Sequence, residues 1–395
     1  MTVSKYNEIN IPEEFLDICP VQDRYFRENM ESLVREPGFE HAVKYVMPDI
    51  DYDLFIKQLL ATNSKYEFQH TVMRKFLEML EDKTTDGVSF SGIEKLQHTA
   101  NTFITNHRDI VLDASFMNLC LFRGGFDSTE VAIGNNLLIL DWIETLVKIN
   151  KSFIVKRNLP VRQALEAARQ LSGYLHFTIK EKNASLWIAQ REGRAKDSND
   201  FTQESLLKMM ALEGEGTIVE RLCQLNLSPV AISYEYDPND YLKAKEYLLK
   251  RKNPDYKKSA HDDLLGMETG ILKYKGRVHF AFGGSVNDQL SRIEIPDDKN
   301  ETYKVVCKII DNTIHVNYRI FPVNYIAYDT LYNVDTFADK YSADEKVSFF
   351  NYIETQLKKV DVATDESDML YMKDMMLAMY SNPLRNQLIA KKELI

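Results

Sequence analysis

Hydrophobic residues recur at helical spacing along most of the first hundred residues. The segments with apolar residues three or four positions apart are 22–35, 51–62 and 66–82. This period is typical of helices that bury one face. The turn-forming pairs Asp86-Gly87 and Ser91-Gly92 follow, and a further helix is expected at about 92–100. We therefore predict a helical N-terminal region over residues 1–99.

Short apolar runs alternate with helical patterns from residue 100 to 290. The runs are Phe103-Ile104, Phe153–Val155, Leu186–Ala189, Val230–Tyr234 and Val278–Gly283. Helices are expected at 113–122 and 160–173, after the first and second runs. Strands alternating with helices predict an α/β fold with a mostly parallel central sheet flanked by helices. Ligands of such sheets bind at the carboxyl ends of the strands.

The pattern becomes helical again over 291–395, which we predict to be a mainly helical C-terminal extension. A methionine-rich segment at 367–380 has helical spacing, and its methionines are expected to pack in a core. The chain therefore divides into three predicted regions, with the α/β domain in the middle.

Composition and charge narrow the classes of partner. Hydrophobic residues make up 44% and charged residues 27% of the chain, as in an ordinary globular protein. The net charge of −10 argues against nucleic-acid binding through phosphates. A locally basic stretch at 243–258 has two interpretations: a surface for anionic lipid or an acidic carrier protein, or a solvated helix face and loop.

Cysteine usage and hydropathy bear on location. The four cysteines are far apart and have no metal-ligand spacing, so no metal site is expected. With no signal-peptide pattern, reduced thiols and a cytoplasmic protein are expected. The longest apolar run, Leu137–Leu140, is far short of the ~20 residues that span a bilayer. The stretch 137–147 has two interpretations, contact with the inner face of a membrane or packing on the sheet, and packing is favoured.

A histidine follows the first strand of the middle region. His107 lies within about one helical turn of Asp109 and two of Asp113. Histidine is the side chain best suited to take a proton near neutral pH, and a carboxylate can orient its ring. Either Asp113 or Asp109 could serve as that carboxylate.

Polar groups also follow the later strands. Lys156 and Arg157 come directly after the second apolar run, where they can reach a bound anion. Glu192-Gly193 and Arg194 follow the third run, and an arginine can hold a phosphate bidentately. Pro229 begins the fourth, where a missing N–H costs little.

This ordered set resembles the glycerolipid acyltransferase superfamily, which includes glycerol-3-phosphate and lysophosphatidic-acid acyltransferases. The matching blocks are Asn106–Asp113, Phe153–Arg157, Gln190–Lys196, Ser228–Glu235 and the strand Lys275–Gly283. They span about half of the chain, residues 100–290, which the resemblance identifies as an acyltransferase domain. The family's histidine and aspartate are separated by four residues, whereas His107 and Asp113 are separated by five.

The resemblance implies roles for individual residues. His107 would be the general base and Asp113 its partner in a dyad, with Asp109 as the alternative. The expected substrate-binding residues are Arg108, Lys156, Arg157, Glu192, Gly193, Arg194 and Pro229.

The expected reaction is transfer of a fatty acyl group to the hydroxyl of glycerol 3-phosphate or a lysophospholipid in membrane lipid biosynthesis. The donor would be acyl-coenzyme A or acyl carrier protein, used as a co-substrate with no bound cofactor. Two alternatives stay open: an acceptor that is a hydroxyacyl-amino-acid lipid, and a non-catalytic lipid- or protein-binding module on the same scaffold.

Overall fold

One sheet organises the chain in the computed structural model, which describes residues 9–294, 296, 298–362 and 364–392. Its strands are β1 Val88–Ser91, β2 Thr102–Thr105, β3 Glu130–Gly134, β4 Ser152–Val155, β5 Leu186–Ala189, β6 Leu227–Tyr234 and β7 Val278–Phe282. The spatial order is β1-β7-β6-β2-β5-β3-β4. Strands β6 and β7 pair antiparallel, and the other neighbours pair parallel. The predicted α/β fold with a mostly parallel sheet is confirmed.

Helices surround the sheet and form both ends of the described chain. The first ten are α1 Phe26–Leu33, α2 Pro37–Val46, α3 Tyr52–Leu60, α4 Lys65–Phe68, α5 Arg74–Thr84, α6 Leu112–Arg123, α7 Asp141–Ile149, α8 Val161–Lys180, α9 Glu204–Met210 and α10 Ile218–Gln224. The others are α11 Asp240–Lys252, α12 Ala260–Leu272, α13 Asn287–Leu290, α14 Lys299–Val316, α15 Pro322–Tyr332, α16 Ala343–Leu357 and α17 Glu366–Lys391. Shorter 3-10 turns occur at Glu13–Phe15, Asp23–Tyr25, Ile93–Lys95, Asn135–Leu137 and Ala338–Lys340, and a π turn at Gln69–Met73.

Helices bury both faces of the sheet. Successive residues of a strand point to opposite faces, so neighbours in one strand pack in different clusters. Phe103 and Trp187 pack with helices α5 and α6 on one face. Ile104 and Ile188 pack with α8, α9, α10 and α14 on the other. This two-sided burial explains the continuous apolar runs of β2 and β5.

Two further clusters hold the ends of the chain. The N-terminal cluster joins α1, α2 and α3 to α7, with Phe26 and Phe39 in it. The C-terminal cluster joins α15, α16 and α17 to α11. Met372 and Met376 are fully buried in that second cluster, so the expectation of core methionines at 367–380 is confirmed.

Two strands, β1 and β3, lie outside the predicted apolar runs. Strand β1 lies between Gly87 and Gly92 and includes Ser91 of the second turn pair, and it pairs with β7. The helix expected at 92–100 is wrong: Gly92 adopts φ +74°, and only a 3-10 turn at Ile93–Lys95 follows. Strand β3 was not predicted either. The division at 99/100 and 290/291 stays a prediction, and residues 1–8, 295, 297, 363 and 393–395 of the predicted end regions lie outside the described residues.

The apolar stretch 137–147 is used mainly for packing. Helix α7 contacts α1, α2 and β4, and Trp142 lies edge-on to Phe39 at 6.2 Å between ring centres. Ile139 and Leu140, just before α7, stay exposed. In the described part of the chain, no helix is both long and apolar enough to cross a bilayer.

Candidate active site

A histidine–carboxylate pair lies in the loop from β2 into α6. The Nδ1 atom of His107 is 2.8 Å from Oδ2 of Asp113, in the first turn of α6. Asp113 is fully buried, and its Oδ2 also accepts from the backbone N–H groups of Arg108 at 2.6 Å and Asp109 at 3.0 Å. Since the carboxylate can only accept, Nδ1 carries the hydrogen and Nε2 is left for the cleft.

The loop is anchored on the sheet by Asn106. Its Nδ2 donates to the backbone oxygen of Ile232 at 2.9 Å, and its Oδ1 accepts from Ile232 N–H at 2.8 Å. These two bonds extend the pairing of β2 with β6 by one residue beyond Thr105. His107 therefore leaves the sheet from a fixed point.

Asp109 closes the same loop instead of contacting the histidine. Its Oδ1 accepts from Val111 N–H at 2.9 Å and Leu112 N–H at 2.8 Å, at the start of α6. Burial, followed by the charge of Asp113, raises the pKa of the Asp109 carboxyl. Of the two candidate partners, Asp113 is the one that contacts His107.

A cleft of about 550 Å³ opens at the carboxyl ends of β2, β3, β4 and β5. It brings together six of the residues that the sequence singled out, namely His107, Lys156, Arg157, Glu192, Gly193 and Arg194. The indole of Trp187 lies edge-on to the His107 ring, with ring centres 5.6 Å apart. The carboxyl edge of the sheet thus collects the polar groups, as the strand order requires.

Lys156 and Arg157 line the outer part of the cleft. Lys156 contacts the carboxylate of Asp17 and donates to Gln170 Oε1 at 3.0 Å. Arg157 lies 3.4 Å from the exposed carboxylate of Glu192. Both ion pairs are solvent-accessible on at least one side, so each contributes little and can be exchanged for an incoming anion.

Arg194 lies deeper. Its side chain is 8% exposed, and its Nη1 is buried without a hydrogen-bond partner among the described residues. Gly193 precedes it with φ +66°, a conformation that favours glycine. A buried donor without a partner is costly, so this guanidinium is suited to an anion that enters the cleft.

Further cations of the cleft were not singled out from the sequence. They are Arg191, Lys196 and Lys258. Lys196 pairs with Glu246 at 2.9 Å, and burial, followed by the charge of Lys258, lowers the pKa of Lys196 to about 8. Arg191 and Lys196 belong to the quoted Gln190–Lys196 block, so cation density there was the available signal. The lining as a whole has six cations and two carboxylates, which favours anionic ligands.

Helix α12 packs on the inner side of the site, and two of its glycines, Gly266 and Gly270, lie at the contact. A Cβ atom on Gly270 would overlap Oδ2 of Asp109, and one on Gly266 would lie 3.3 Å from Nη2 of Arg194. The backbone of α12 therefore approaches both side chains closely. The two glycines are four residues apart, so they lie on one face of the helix, and this spacing is the sequence signal for the close approach.

Two of the expected binding residues lie outside the cleft lining. The Arg108 guanidinium turns inward and pairs with the buried carboxylate of Asp200 at 2.8 Å. Pro229 is the third residue of β6, buried in the sheet, and its oxygen accepts from Gly283 N–H at 2.9 Å. Neither side chain reaches the cleft, because each is already used by the fold.

The basic stretch 243–258 is largely neutralised. Lys243 is buried against Asp237, and the other paired lysines contact carboxylates from α11, α12 and the C-terminal region. Those pairs are Lys245–Asp361, Lys250–Glu246, Lys252–Asp368 and Lys258–Asp263. Lys250, Arg251, Lys252 and Lys257 are exposed on the end of α11 and the loop after it, which agrees with the interpretation as a solvated helix face and loop.

No group of three or more histidine, cysteine or acidic side chains within the described ranges is arranged to hold a metal ion.

No protein-family model matches the sequence. No curated protein matches it either. In structure the chain is similar to the 1-acyl-sn-glycerophosphate (LPA) acyltransferase PlsC from Thermotoga maritima, at 10% sequence identity and a TM-score of 0.37. That alignment covers 75% of this chain and 97% of the other, and a likeness of this strength assigns no activity.

Proposed function

We propose that this protein is an O-acyltransferase. It would move a fatty acyl group from a thioester donor, acyl-coenzyme A or acyl carrier protein, to a hydroxyl of glycerol 3-phosphate or a lysophospholipid. The observation that carries the proposal is the His107–Asp113 pair at the wall of a cleft lined by six cations and two carboxylates. A base beside an anion site is what this acceptor requires, because its hydroxyl and its phosphate are bound together.

The chemistry follows from the orientation of the imidazole. Nε2 of His107 takes the proton of the acceptor hydroxyl as its oxygen attacks the thioester carbonyl carbon. The bond between that carbon and sulfur then breaks, and the imidazolium returns the proton to the departing thiolate. Asp113 holds the ring and stabilises its charged form. General base catalysis of this kind typically contributes about 10²–10⁴-fold.

The anionic end of the acceptor would bind along the cationic wall. Arg194 offers the buried unpartnered donor, and Lys156 and Arg157 lie nearer the opening. Glu192 and Gly193 shape the turn that presents Arg194. A hydroxyacyl-amino-acid lipid is also anionic, and the same cationic wall would bind it.

We propose that the reaction takes place at a membrane surface, at the cytoplasmic face, because the acylated product is a lipid with either acceptor. Exposed apolar side chains near the cleft support this: Ile139 and Leu140 follow β3, while Val161 and Leu165 begin α8. Val161 is 89% exposed, and Arg162 beside it could meet anionic lipid. Co-sedimentation with anionic liposomes, reduced in a Val161→Asp/Leu165→Asp variant, tests the placement; equal sedimentation of both proteins contradicts it.

Acyl transfer by the His107→Ala variant tests the reaction itself. The purified protein is assayed with labelled acyl-coenzyme A and acyl carrier protein against glycerol 3-phosphate, lysophosphatidate and a hydroxyacyl-amino-acid lipid. We expect turnover with one acceptor and a loss of at least about 10²-fold in the variant. His98→Ala is the matched control, since His98 stacks on Phe126 away from the cleft. Full turnover by His107→Ala excludes the proposed base, and no turnover by the wild type favours a non-catalytic module.

A further inference from the structure

The loop that carries Arg194 runs from β5 to α9 and is fastened at its base. Gln203 N–H donates to the backbone oxygen of Gln190 at 2.9 Å, where the loop leaves and rejoins the core. The side-chain oxygen of Gln203 also accepts from Glu192 N–H at 2.7 Å. These bonds fix the two ends of the loop but not its far segment, 197–200.

The C-terminal helix α17 holds that far segment from one side. Asn382 Nδ2 donates to the backbone oxygen of Asp197 at 2.8 Å, and Asn386 Nδ2 donates to Oδ1 of Asn199 at 3.1 Å. Ser198, between them, has φ +58°, which is unfavourable for a residue other than glycine. Such a conformation persists where its surroundings impose it, and here the two asparagines flank it.

Asp200 holds the same segment from the other side. Its carboxylate pairs with Arg108 at 2.8 Å, and its backbone oxygen accepts from Nε2 of His315 at 2.9 Å. Arg108 in turn donates its backbone N–H to Asp113. The loop that holds His107 and Asp113 and the loop that holds Arg194 are therefore joined through the buried ion pair between Arg108 and Asp200.

We propose that α17, through Asn382 and Asn386, is a positioning element of the anion site. Arg194 lies three residues before the fastened segment, and its Nη1 has no hydrogen-bond partner among the described residues. The packing of α12 at Gly266 and the charges of Asp109 and Asp237 act on the guanidinium, and the backbone of its own loop sets where the side chain starts. The C-terminal helix fixes that backbone, which gives the region beyond the α/β domain a part in substrate binding. The identity of the anion rests on the proposed function, but the fastening of the loop does not.

The test compares an Asn382→Ala/Asn386→Ala variant with a Gln387→Ala control. Gln387 is equally buried on the same helix, but its Nε2 donates to the backbone oxygens of Val316 and Tyr318 instead of the loop. Titration calorimetry with inorganic phosphate and with glycerol 3-phosphate measures anion affinity. Hydrogen exchange followed by mass spectrometry measures the protection of residues 191–203.

In the double variant we expect anion affinity to fall on the order of tenfold and exchange in 191–203 to accelerate, as the loss of two hydrogen bonds predicts. The Gln387→Ala control should keep both values. If the double variant does not fold, each single variant should show about a threefold loss. Where a reaction is found, KM for the acceptor should rise more than kcat falls.

Two results would overturn the proposal. One is equal phosphate affinity and equal exchange in the variant and the control. The other is a wild-type protein that binds neither phosphate nor glycerol 3-phosphate. A wild type without acyl-transfer activity, combined with weakened anion binding in the variant, would remove the proposed reaction and leave the positioning role in place.

Discussion

Replacing Asp113 by asparagine separates the charge of this side chain from its hydrogen bonds. Oδ2 accepts three N–H groups, from His107, Arg108 and Asp109, while Oδ1 is buried and has no hydrogen-bond partner in the described part of the chain. An asparagine can put its oxygen in the place of Oδ2 and keep all three bonds. The loop and the orientation of the ring should then persist, while the negative charge is lost and an amide NH2 group takes the buried place of Oδ1 next to Tyr234.

The size of the expected effect follows from that charge. The imidazolium formed in the reaction would lie with its charge centre about 4 Å from the carboxylate, and two unit charges at that distance interact by about 4 kcal/mol at an effective dielectric constant of about 20. A loss of this size corresponds to about 10³-fold in rate. Asp113→Asn should therefore lower kcat about 10³-fold and leave the free energy of unfolding within about 1 kcal/mol of the wild type. Single-turnover acyl transfer and urea unfolding measure the two quantities.

Asp109→Asn is the matched control on the same loop. Asp109 uses only Oδ1, and the raised pKa of its carboxyl makes a neutral amide a close substitute. Its kcat should stay within about threefold of the wild type. A stable Asp113→Asn variant that keeps more than about a tenth of the wild-type kcat would contradict the proposed role of the charge, and so would an Asp109→Asn variant that loses as much kcat as Asp113→Asn.

Two further predictions concern stability. Gly270→Ala puts a methyl group onto Asp109 and should cost about 1–3 kcal/mol in urea unfolding, whereas Gly266→Ala should cost less; equal small costs would contradict the close approach of α12. Burial, followed by the charge of Asp237, raises the pKa of Asp240 to about 7. The folded state therefore binds this proton more tightly than the unfolded state, and the stability it contributes is present below about pH 4 and is lost as the pH rises through about 7. Between about pH 4 and pH 7, the free energy of unfolding should therefore fall by a few kcal/mol less in Asp240→Asn than in the wild type, as measured by urea titrations. Parallel pH profiles of the two proteins would refute this role of Asp240.

Much of the sheet could be predicted because both of its faces are buried. Strands such as β2 and β5 alternate between two apolar clusters, so they appear in the sequence as apolar runs. Strands β1 and β3 carry a weaker signal. Strand β1 is the four residues Val88–Ser91, in which serine alternates with apolar residues between two turn pairs. At that length, period and propensity do not separate a strand from a loop.

The direction of a side chain could not be predicted. Arg108 and Arg194 are both arginines beside a strand end, yet one turns into the core and the other faces the cleft. The difference is set by Asp200, which follows Arg108 by 92 positions in the sequence. The basic stretch shows the same limit, because Lys245 and Lys252 find their carboxylates 116 residues away.

The five residues between His107 and Asp113, one more than in the motif that this segment resembles, are accommodated by the two carboxylates of the loop. With one more residue between histidine and aspartate, more backbone N–H groups must be satisfied before α6 begins. Asp109 takes those of Val111 and Leu112, and Asp113 takes those of Arg108 and Asp109. The longer loop is thereby closed on itself, and Oδ2 of Asp113 still reaches the imidazole. The sequence offers Asp109 and Asp113 as alternatives, but their roles differ: Asp109 closes the loop, and Asp113 holds the histidine.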